Sequence, residues 1–118
     1  MITSRIIPCL DCKNGRVVKG IRFGNLRDSG SPTERAHMYE DQGADELVVL
    51  DISATPEERS NTLETVRSLR ACLSIPLTVG GGIRTLNDAD ALLQAGADKI
   101  SINSAAVKNP TLIEEIAQ

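Results

Sequence analysis

Residues that could move protons follow a short apolar run near the start of the chain. Asp11 closes the run Arg5–Asp11, and a carboxylate in that place is a candidate general acid or base. The same side chain could instead cap a turn with Asn14 and Gly15. Position alone supports both interpretations.

The segment Cys12–Gly30 is longer than the roughly 2–6 residues that usually join a strand to a helix in α/β proteins. A long, basic and glycine-rich loop is typical of a lid over an anionic ligand. The alternative is a solvated surface hairpin with Val17 and Val18 as its apolar part. The segment holds four glycines and five basic residues: Gly15, Gly20, Gly24, Gly30, Lys13, Arg16, Lys19, Arg22 and Arg27.

Two other segments have the chemistry to bind phosphate. Gly80-Gly81-Gly82 precedes a helix start, where close backbone amides and the helix N-terminus favour an anion. Asn103 and Ser104 follow another apolar run and could complete a phosphate cup beside Gly82. The alternatives are a tight turn for the glycines and helix capping for Asn103 and Ser104.

Four apolar runs alternate with helical patterns. As strands, they would hold the candidate acid–base and phosphate-binding residues at their ends. The runs are rich in β-branched residues, which is typical of parallel strands buried on both faces. Helix starts are indicated by a serine, threonine or asparagine cap, two of them followed by proline and an acidic residue. The predicted strands are Arg5–Asp11, Glu46–Asp51, Leu77–Val79 and Lys99–Asn103, and the helices begin after Ser31, Thr55, Thr85 and Asn109.

The predicted helices also have readable ends and apolar faces. Gly43 and Gly96 end two of them, where the chain must turn back toward the sheet. Helical spacing predicts that one face of the second and third helices packs on the core. These faces contain Leu63, Val66, Leu69, Leu73, Ala89, Leu92 and Leu93.

An internal repeat favours a symmetric parallel barrel. Gly43–Leu47 (GADEL) matches Gly96–Ile100 (GADKI) at an offset of 53 residues, which spans two strand–helix units. A complete (βα)₈ barrel needs about 250 residues. We therefore predict that residues 1–118 form one domain, the (βα)₄ half of a TIM barrel with a four-stranded parallel sheet. Two open edges and an uncovered face would favour a homodimer or higher homo-oligomer.

Composition excludes several other classes. A net charge of −3 and 2% aromatic residues do not suit nucleic-acid or anionic-membrane binding. Three cysteines and no apparent signal peptide predict a cytoplasmic protein. Cys9 and Cys12 form a C-x-x-C, but Cys9 lies within a strand-like run and too few further ligands accompany it for zinc. We expect no metal and no other cofactor.

The motifs together resemble the cyclase subunit of imidazole glycerol phosphate synthase (HisF), a TIM-barrel lyase of histidine biosynthesis. The resemblance covers essentially the whole chain and corresponds to the N-terminal half of that family. It is carried by RIIPCLD at 5–11, GRVVKG at 15–20, LRDSG at 26–30, DELVVLDISA at 45–54, TVGGGIR at 78–84 and GADKISINSAAV at 96–107.

The resemblance implies roles for individual residues. Asp11 would be one of two catalytic aspartates, and Lys19 would close on a substrate that carries two phosphates. Ammonia would arrive from a glutaminase partner docked on the opposite barrel face, where Asp98 would meet that partner. The implied ammonia gate is Arg5, Glu46 and Lys99. The implied phosphate and substrate contacts are Asp51, Thr78, Gly81, Gly82, Asn103 and Ser104.

The family's second catalytic aspartate and second phosphate cup belong to the other half of the barrel. We therefore expect phosphate binding with little or no cyclase activity from this chain alone. One alternative is a working cyclase, formed by a dimer or with a C-terminal half. A second is an oligomerising module with an idle site. A third is half of the related sugar-phosphate isomerase, although the stretch Gly15–Gly20 and the implied ammonia gate favour the cyclase.

Overall fold

Strands and helices alternate in the computed structural model, which describes residues 5–20, 26–53, 55–83 and 85–101. The predicted α/β class is confirmed. The elements are β1 (Cys9–Lys13), β2 (Arg16–Gly20), β3 (Leu26–Gly30), α1 (Pro32–Asp41), β4 (Leu47–Asp51), α2 (Pro56–Cys72), β5 (Leu77–Gly80), α3 (Leu86–Ala95) and β6 (Lys99–Ser101).

The strands form one sheet in the order β3-β2-β1-β4-β5-β6. β1, β4, β5 and β6 pair in parallel, as predicted for half of a barrel. β2 and β3 add an antiparallel hairpin, which corresponds to the surface-hairpin interpretation of Cys12–Gly30. The prediction that the first parallel strand leaves an open edge is therefore wrong, because β2 pairs with β1 at Cys12 and Lys13.

The first parallel strand begins later than predicted because of Pro8. The chain already runs beside β4 before Cys9, since the Ile6 and Pro8 carbonyls accept from Asp45 N at 2.9 Å and from Val48 N at 2.9 Å. Proline has no N–H to return to the ladder, so regular pairing starts after it. The strand then continues beyond Asp11 to Lys13.

The two faces of the parallel sheet differ. The outer face packs against the helices and contains Leu10, Val49 and Val79 in one register row. On the inner face, Asp11 is exposed and Leu50 is half-buried, and Leu50 pairs with the buried Gly80. Ile6, Ile7 and Ile52 are also exposed, at 58%, 42% and 42%. The described core is therefore one layer of helices on one side of the sheet.

Two predicted caps form as expected, and one does not. Thr55 with Glu58, and Thr85 with Asp88, make reciprocal capping boxes at the starts of α2 and α3. Ser31 precedes α1 without a side-chain cap bond, because its hydroxyl contacts Thr33 Oγ1 at 2.9 Å. The predicted fourth helix, after Asn109, lies outside the described residues.

The predicted apolar helix faces are largely confirmed. Val66, Leu69, Leu73, Ala89 and Leu92 are buried in the core, and Leu63 packs against it. Leu93 is 42% exposed, so its prediction as a core residue is wrong. It follows Leu92 by one residue, a rotation of about 100° on a helix, and so leaves the buried face.

The sequence repeat is also a structural repeat. Asp45 N donates to Ile6 O at 2.9 Å and the Asp45 carboxylate accepts from Ile6 N at 2.7 Å. Asp98 makes the same two bonds with Leu77, both at 2.8 Å. Gly43 and Gly96 precede them with φ of 93° and 121°. Each GAD motif thus ends a helix and fixes the chain beside the start of a neighbouring strand.

The three cysteines are free thiols. Cys9 is exposed and Cys12 is buried along β1, so their side chains leave opposite faces of the sheet. Burial and the nearby carboxylates of Asp51 and Asp11 raise the pKa of Cys12 to about 12. The C-x-x-C is therefore part of a strand and not a thiol pair.

In the part of the chain that the structure describes, no helix is both long and apolar enough to span a lipid bilayer.

Candidate functional site

The predicted site residues collect at the two ends of the parallel strands. We call the C-terminal ends, with Asp11, Asp51, Gly81 and Gly82, the C-terminal rim. We call the opposite ends, with Arg5, Glu46, Asp98 and Lys99, the N-terminal face. In a parallel α/β barrel, the C-terminal strand ends are where chemistry takes place.

The glycine turn after β5 is the most constrained part of the rim. Gly81 and Gly82 have φ of 86° and 69°, a region that side-chain-bearing residues rarely occupy. A Cβ on Gly81 would lie 2.2 Å from the carbonyl oxygen of Asp51, so the backbones of the two strand ends touch. A Cβ on Gly82 would lie 3.3 Å from Arg59 Cδ. Both glycines are exposed, which leaves their backbone open to a ligand.

Arg59 is a rim residue that the sequence did not single out. It lies four residues after the cap Thr55, near the start of α2. Residues four apart lie on the same side of a helix, so the cap could have indicated that Arg59 lies near the rim. With Asp51, Gly81 and Gly82 it lines a cleft of about 290 Å³ between α2 and α3. The cleft therefore brings the Arg59 side chain beside the glycine turn.

Asp51 points toward α2. Its Oδ1 accepts from Ser53 N at 2.9 Å and lies 3.4 Å from Thr62 Oγ1. Its Oδ2 would be 3.8 Å from a Cβ on Gly82. Asp51 and the two glycines are thus brought together, but on the helix side of the sheet. The buried Thr62, also missed from the sequence, holds the carboxylate there.

Asp11 and Thr78 lie on the inner face of the sheet. Asp11 pairs with Leu50, and Leu50 pairs with Gly80, so Asp11 is two strands away from the glycine turn. At about 4.8 Å per strand, this separation is about 10 Å. Thr78 is half-buried and pairs with Lys99, one row closer to the N-terminal face. The arrangement offers a carboxylate and an amide-rich turn at the two ends of one open surface.

The start of α3 contributes less to anion binding than the sequence suggested. Asp88 N already donates to Thr85 Oγ1 at 3.2 Å, and the Asp88 carboxylate accepts from Thr85 N at 3.2 Å. A negative side chain therefore occupies this helix N-terminus. The start of α3 is therefore a poor place for a second anion.

Three predicted residues meet on the N-terminal face. Glu46 is 8% exposed, and its Oε1 forms a salt bridge with Arg5 and lies 3.4 Å from Lys99 Nζ. The hydrogen bond from Arg5, with the charges of Arg5 and Lys99, lowers the pKa of Glu46 despite desolvation. Arg5 and Lys99 remain 61% and 62% exposed in their side chains. The cluster is a carboxylate held between two cations that face solvent.

We expect the stability difference between the native chain and Glu46→Gln to depend on pH. Because folding lowers the Glu46 pKa, the ionised carboxylate stabilises the fold in full above its ordinary pKa of 4.5. That contribution is lost as the pH falls through the lowered folded-state value. Urea unfolding should therefore show a larger gap between the two proteins at about pH 7 than at about pH 3. An equal gap at both pH values would contradict the ion-pair assignment.

Asp98 is held by its own chain. Its Oδ2 accepts from Arg70 Nη1 at 2.5 Å and from Leu77 N at 2.8 Å. Arg70 Nη2 also donates to the carbonyls of Leu73 and Ile75 at 2.7 and 3.1 Å. Asp98 lies on the same face as the Glu46 cluster and its side chain is 47% exposed.

The remaining predicted contacts are only partly described. Asn103 and Ser104, predicted to complete the phosphate cup, lie outside the described residues. Lys19 belongs to β2, which leaves the C-terminal end of β1 through the Asn14–Gly15 turn. The turn that begins this hairpin, which we call the hairpin root, therefore lies at the same end of the sheet as the C-terminal rim.

Parallel strands joined by helices that cover one face of the sheet are the architecture of part of a TIM barrel. The chain belongs to the histidine biosynthesis protein family, whose model matches residues 5–118. It is similar to the protein named imidazole glycerol phosphate synthase subunit HisF in several organisms. The resemblance read from the motifs is thereby confirmed.

Three relatives illustrate the similarity. The Flavobacterium johnsoniae protein is 59% identical over 118 residues, which cover all of this chain and 47% of the relative. The Methanocaldococcus jannaschii protein is 58% identical over 118 residues, which cover all of this chain and 43% of the relative. The Anoxybacillus flavithermus protein is 60% identical over 115 residues, which are 98% of this chain and 46% of the relative. The chain thus spans about half the length of these relatives and corresponds to their N-terminal half.

Proposed function

We propose that this chain binds a phosphate-bearing small molecule at its C-terminal rim and supplies the N-terminal half of an ammonia-dependent cyclase site. The observation that carries the proposal is the exposed, left-handed Gly81–Gly82 turn at the end of β5. Backbone amides in such a turn form a cradle for an anion. The substrate class that we propose, a ribotide with two phosphates, is the one that the resemblance to the cyclase implies.

The charges of the rim favour one side of the turn. Asp51 and Asp88 line the helix-side cleft and would repel phosphate there. We therefore place the phosphate on the inner side of Gly82, where Asn103 and Ser104 would complete the cup. From that site, a substrate extending about 10 Å along the inner face would reach Asp11. Asp11 would then act as general acid or base on the reacting part of the substrate.

The N-terminal face would receive ammonia. The relatives are named as a subunit, so a complex with a glutaminase subunit is part of this proposal. Arg5, Glu46 and Lys99 would form the entrance, and Asp98 would contact the partner through Oδ1, since Arg70 and Leu77 bind its Oδ2. Alone, this half has a single catalytic carboxylate, so we propose little or no cyclase activity without the other half.

Phosphate binding tests the proposal through two matched glycine variants. Gly82→Ala and Gly43→Ala each place a Cβ at a positive φ, 69° and 93°, but only Gly82 is on the rim. We expect Gly82→Ala to weaken inorganic phosphate binding at least about tenfold, or about 1.4 kcal/mol. Gly43→Ala should change it by less than about twofold. Phosphorus NMR titration measures both, and equal affinities would show that the cup is assigned wrongly.

The exposed inner face favours a second candidate function, an assembly module. Ile7 and Ile52 alternate in step with the inner-face residues Cys9 and Leu50, and both are exposed. Apolar groups of this kind are usually covered in a finished protein. We propose that a second copy or the C-terminal half covers them, as a homodimer, a higher homo-oligomer or a completed barrel.

A further inference from the structure

The turn between β1 and β2 rests on helix α2. Asn14 and Gly15 have φ of 55° and 76°, as a two-residue hairpin turn of type I′ requires. Asn61 Nδ2 donates to Asn14 Oδ1 at 2.6 Å, and Thr65 Oγ1 donates to the carbonyl of Gly15 at 3.0 Å. A Cβ on Gly15 would lie 2.9 Å from Thr65 Oγ1 and 3.0 Å from the carbonyl oxygen of Asn61. The turn is therefore in direct contact with the helix.

A third hydrogen bond ties the same turn to the loop after β4. Asn14 N donates to Ser53 Oγ at 3.2 Å. Ser53 Oγ lies 3.4 Å from Thr62 Oγ1, and Thr62 is 1% exposed. One face of α2, with Asn61, Thr62 and Thr65, thus joins the hairpin turn to the C-terminal rim.

This contact lies at the root of the hairpin. β2 pairs with β1 at Cys12–Val17 and Lys13–Arg16, the residues next to the turn. The pairing of β2 with β3 then shifts register between Val17 and Val18. Such an irregularity bends a strand and changes its direction. The contacts of α2 therefore lie at the end of the hairpin from which β2 starts, two residues before this irregularity.

We propose that Asn61 and Thr65 are positioning residues that hold the root of the β1–β2 hairpin, and through it the course of β2 and the backbone position of Lys19. The inference rests on the proposed function, in which Lys19 acts on the bound phosphate. It deepens that function because α2 also carries Arg59, whose Cδ would lie 3.3 Å from a Cβ on Gly82. One helix thus lies against both the hairpin root and the glycine turn that would hold the phosphate.

The test compares two variants of one side chain. Thr65→Val keeps the shape and removes the hydroxyl, whereas Thr65→Ser keeps the hydroxyl. We expect Thr65→Val to speed amide exchange in β2 by about threefold or more, and to weaken inorganic phosphate binding by about threefold. Thr65→Ser should keep both values within about 1.5-fold of the native chain. Asn61→Ala combined with Thr65→Val should weaken binding about tenfold.

Lys19→Ala shows whether the effect passes through Lys19. In that background, Thr65→Val should no longer change phosphate affinity, because the residue that it positions is gone. An unchanged β2 exchange rate in Thr65→Val, or an equal loss of affinity with and without Lys19, would overturn the inference. If the native chain does not bind phosphate, the proposed function fails, and amide exchange still decides whether Thr65 holds β2.

Discussion

Gly81→Ala should destabilise the fold by about 3–5 kcal/mol, the largest loss that we expect from a single methyl group in this chain. The new Cβ would lie 2.2 Å from the carbonyl oxygen of Asp51, and that oxygen is backbone that cannot rotate away. The residue would also keep a φ of 86°, which L side chains rarely adopt. Relief requires β4 and β5 to separate at their C-terminal ends.

Gly43→Ala separates the two causes of this loss. Gly43 has a φ of 93°, close to that of Gly81, but nothing lies within 4 Å of the place of its Cβ. Its substitution should therefore cost only the conformational term, about 1–2 kcal/mol. Urea unfolding of both variants measures the difference. Equal losses would mean that backbone strain alone, and not contact between the two strand ends, restricts position 81.

Local signals in the sequence predicted the parallel half of the fold well. The caps Thr55 and Thr85 have acidic residues three positions later, and both capping boxes form. The GAD repeat also proved structural, since Asp45 and Asp98 each fix the start of a neighbouring strand. The capping boxes join residues close in sequence, so they can be read without knowing the tertiary packing. The GAD bonds reach Ile6 and Leu77 across 39 and 21 residues, so the sequence showed the repeat but not its partners.

The hairpin was harder to predict, although its turn was visible. Asn14-Gly15 is a strong signal for a type I′ turn, but the basic and glycine-rich composition around it equally suits a loop. What decides between the two is α2, through Asn61 and Thr65, which are 47 and 50 residues from their partners. Contacts over such distances in sequence are set by the packing of the whole fold. Composition does not encode them.

Several candidate site residues have hydrogen-bond partners that the sequence did not indicate. Asp51 lines the cleft between α2 and α3, and its carboxylate turns toward Ser53 and Thr62. Asp98 was expected to meet a partner, and one of its oxygens is already used by Arg70 and Leu77. A strand position predicts which end of the sheet a side chain occupies. It does not predict which neighbour competes for that side chain.

In a barrel completed with a C-terminal half, Asp11→Asn should reduce cyclase turnover by about 10²–10⁴, the usual cost of losing a general acid or base. The amide keeps the shape of the carboxylate and removes its proton-accepting charge. Asp11 is exposed on the inner face, so the substitution should leave the fold intact. The first measurement is the mass in solution of this chain alone and of the mixture, which shows whether the partner is a second copy or the other half.

Cys9→Ser is the control, because Cys9 is exposed on the same strand and the same face, two residues before Asp11. Its turnover should stay within about twofold of the unmodified assembly, since the serine hydroxyl offers no acid or base near neutral pH. Turnover of Asp11→Asn within about tenfold of the unmodified assembly would remove Asp11 from the acid–base role. An assembly of the correct mass without any turnover would refute the cyclase proposal, while the Gly82 titration would still decide whether the rim binds phosphate.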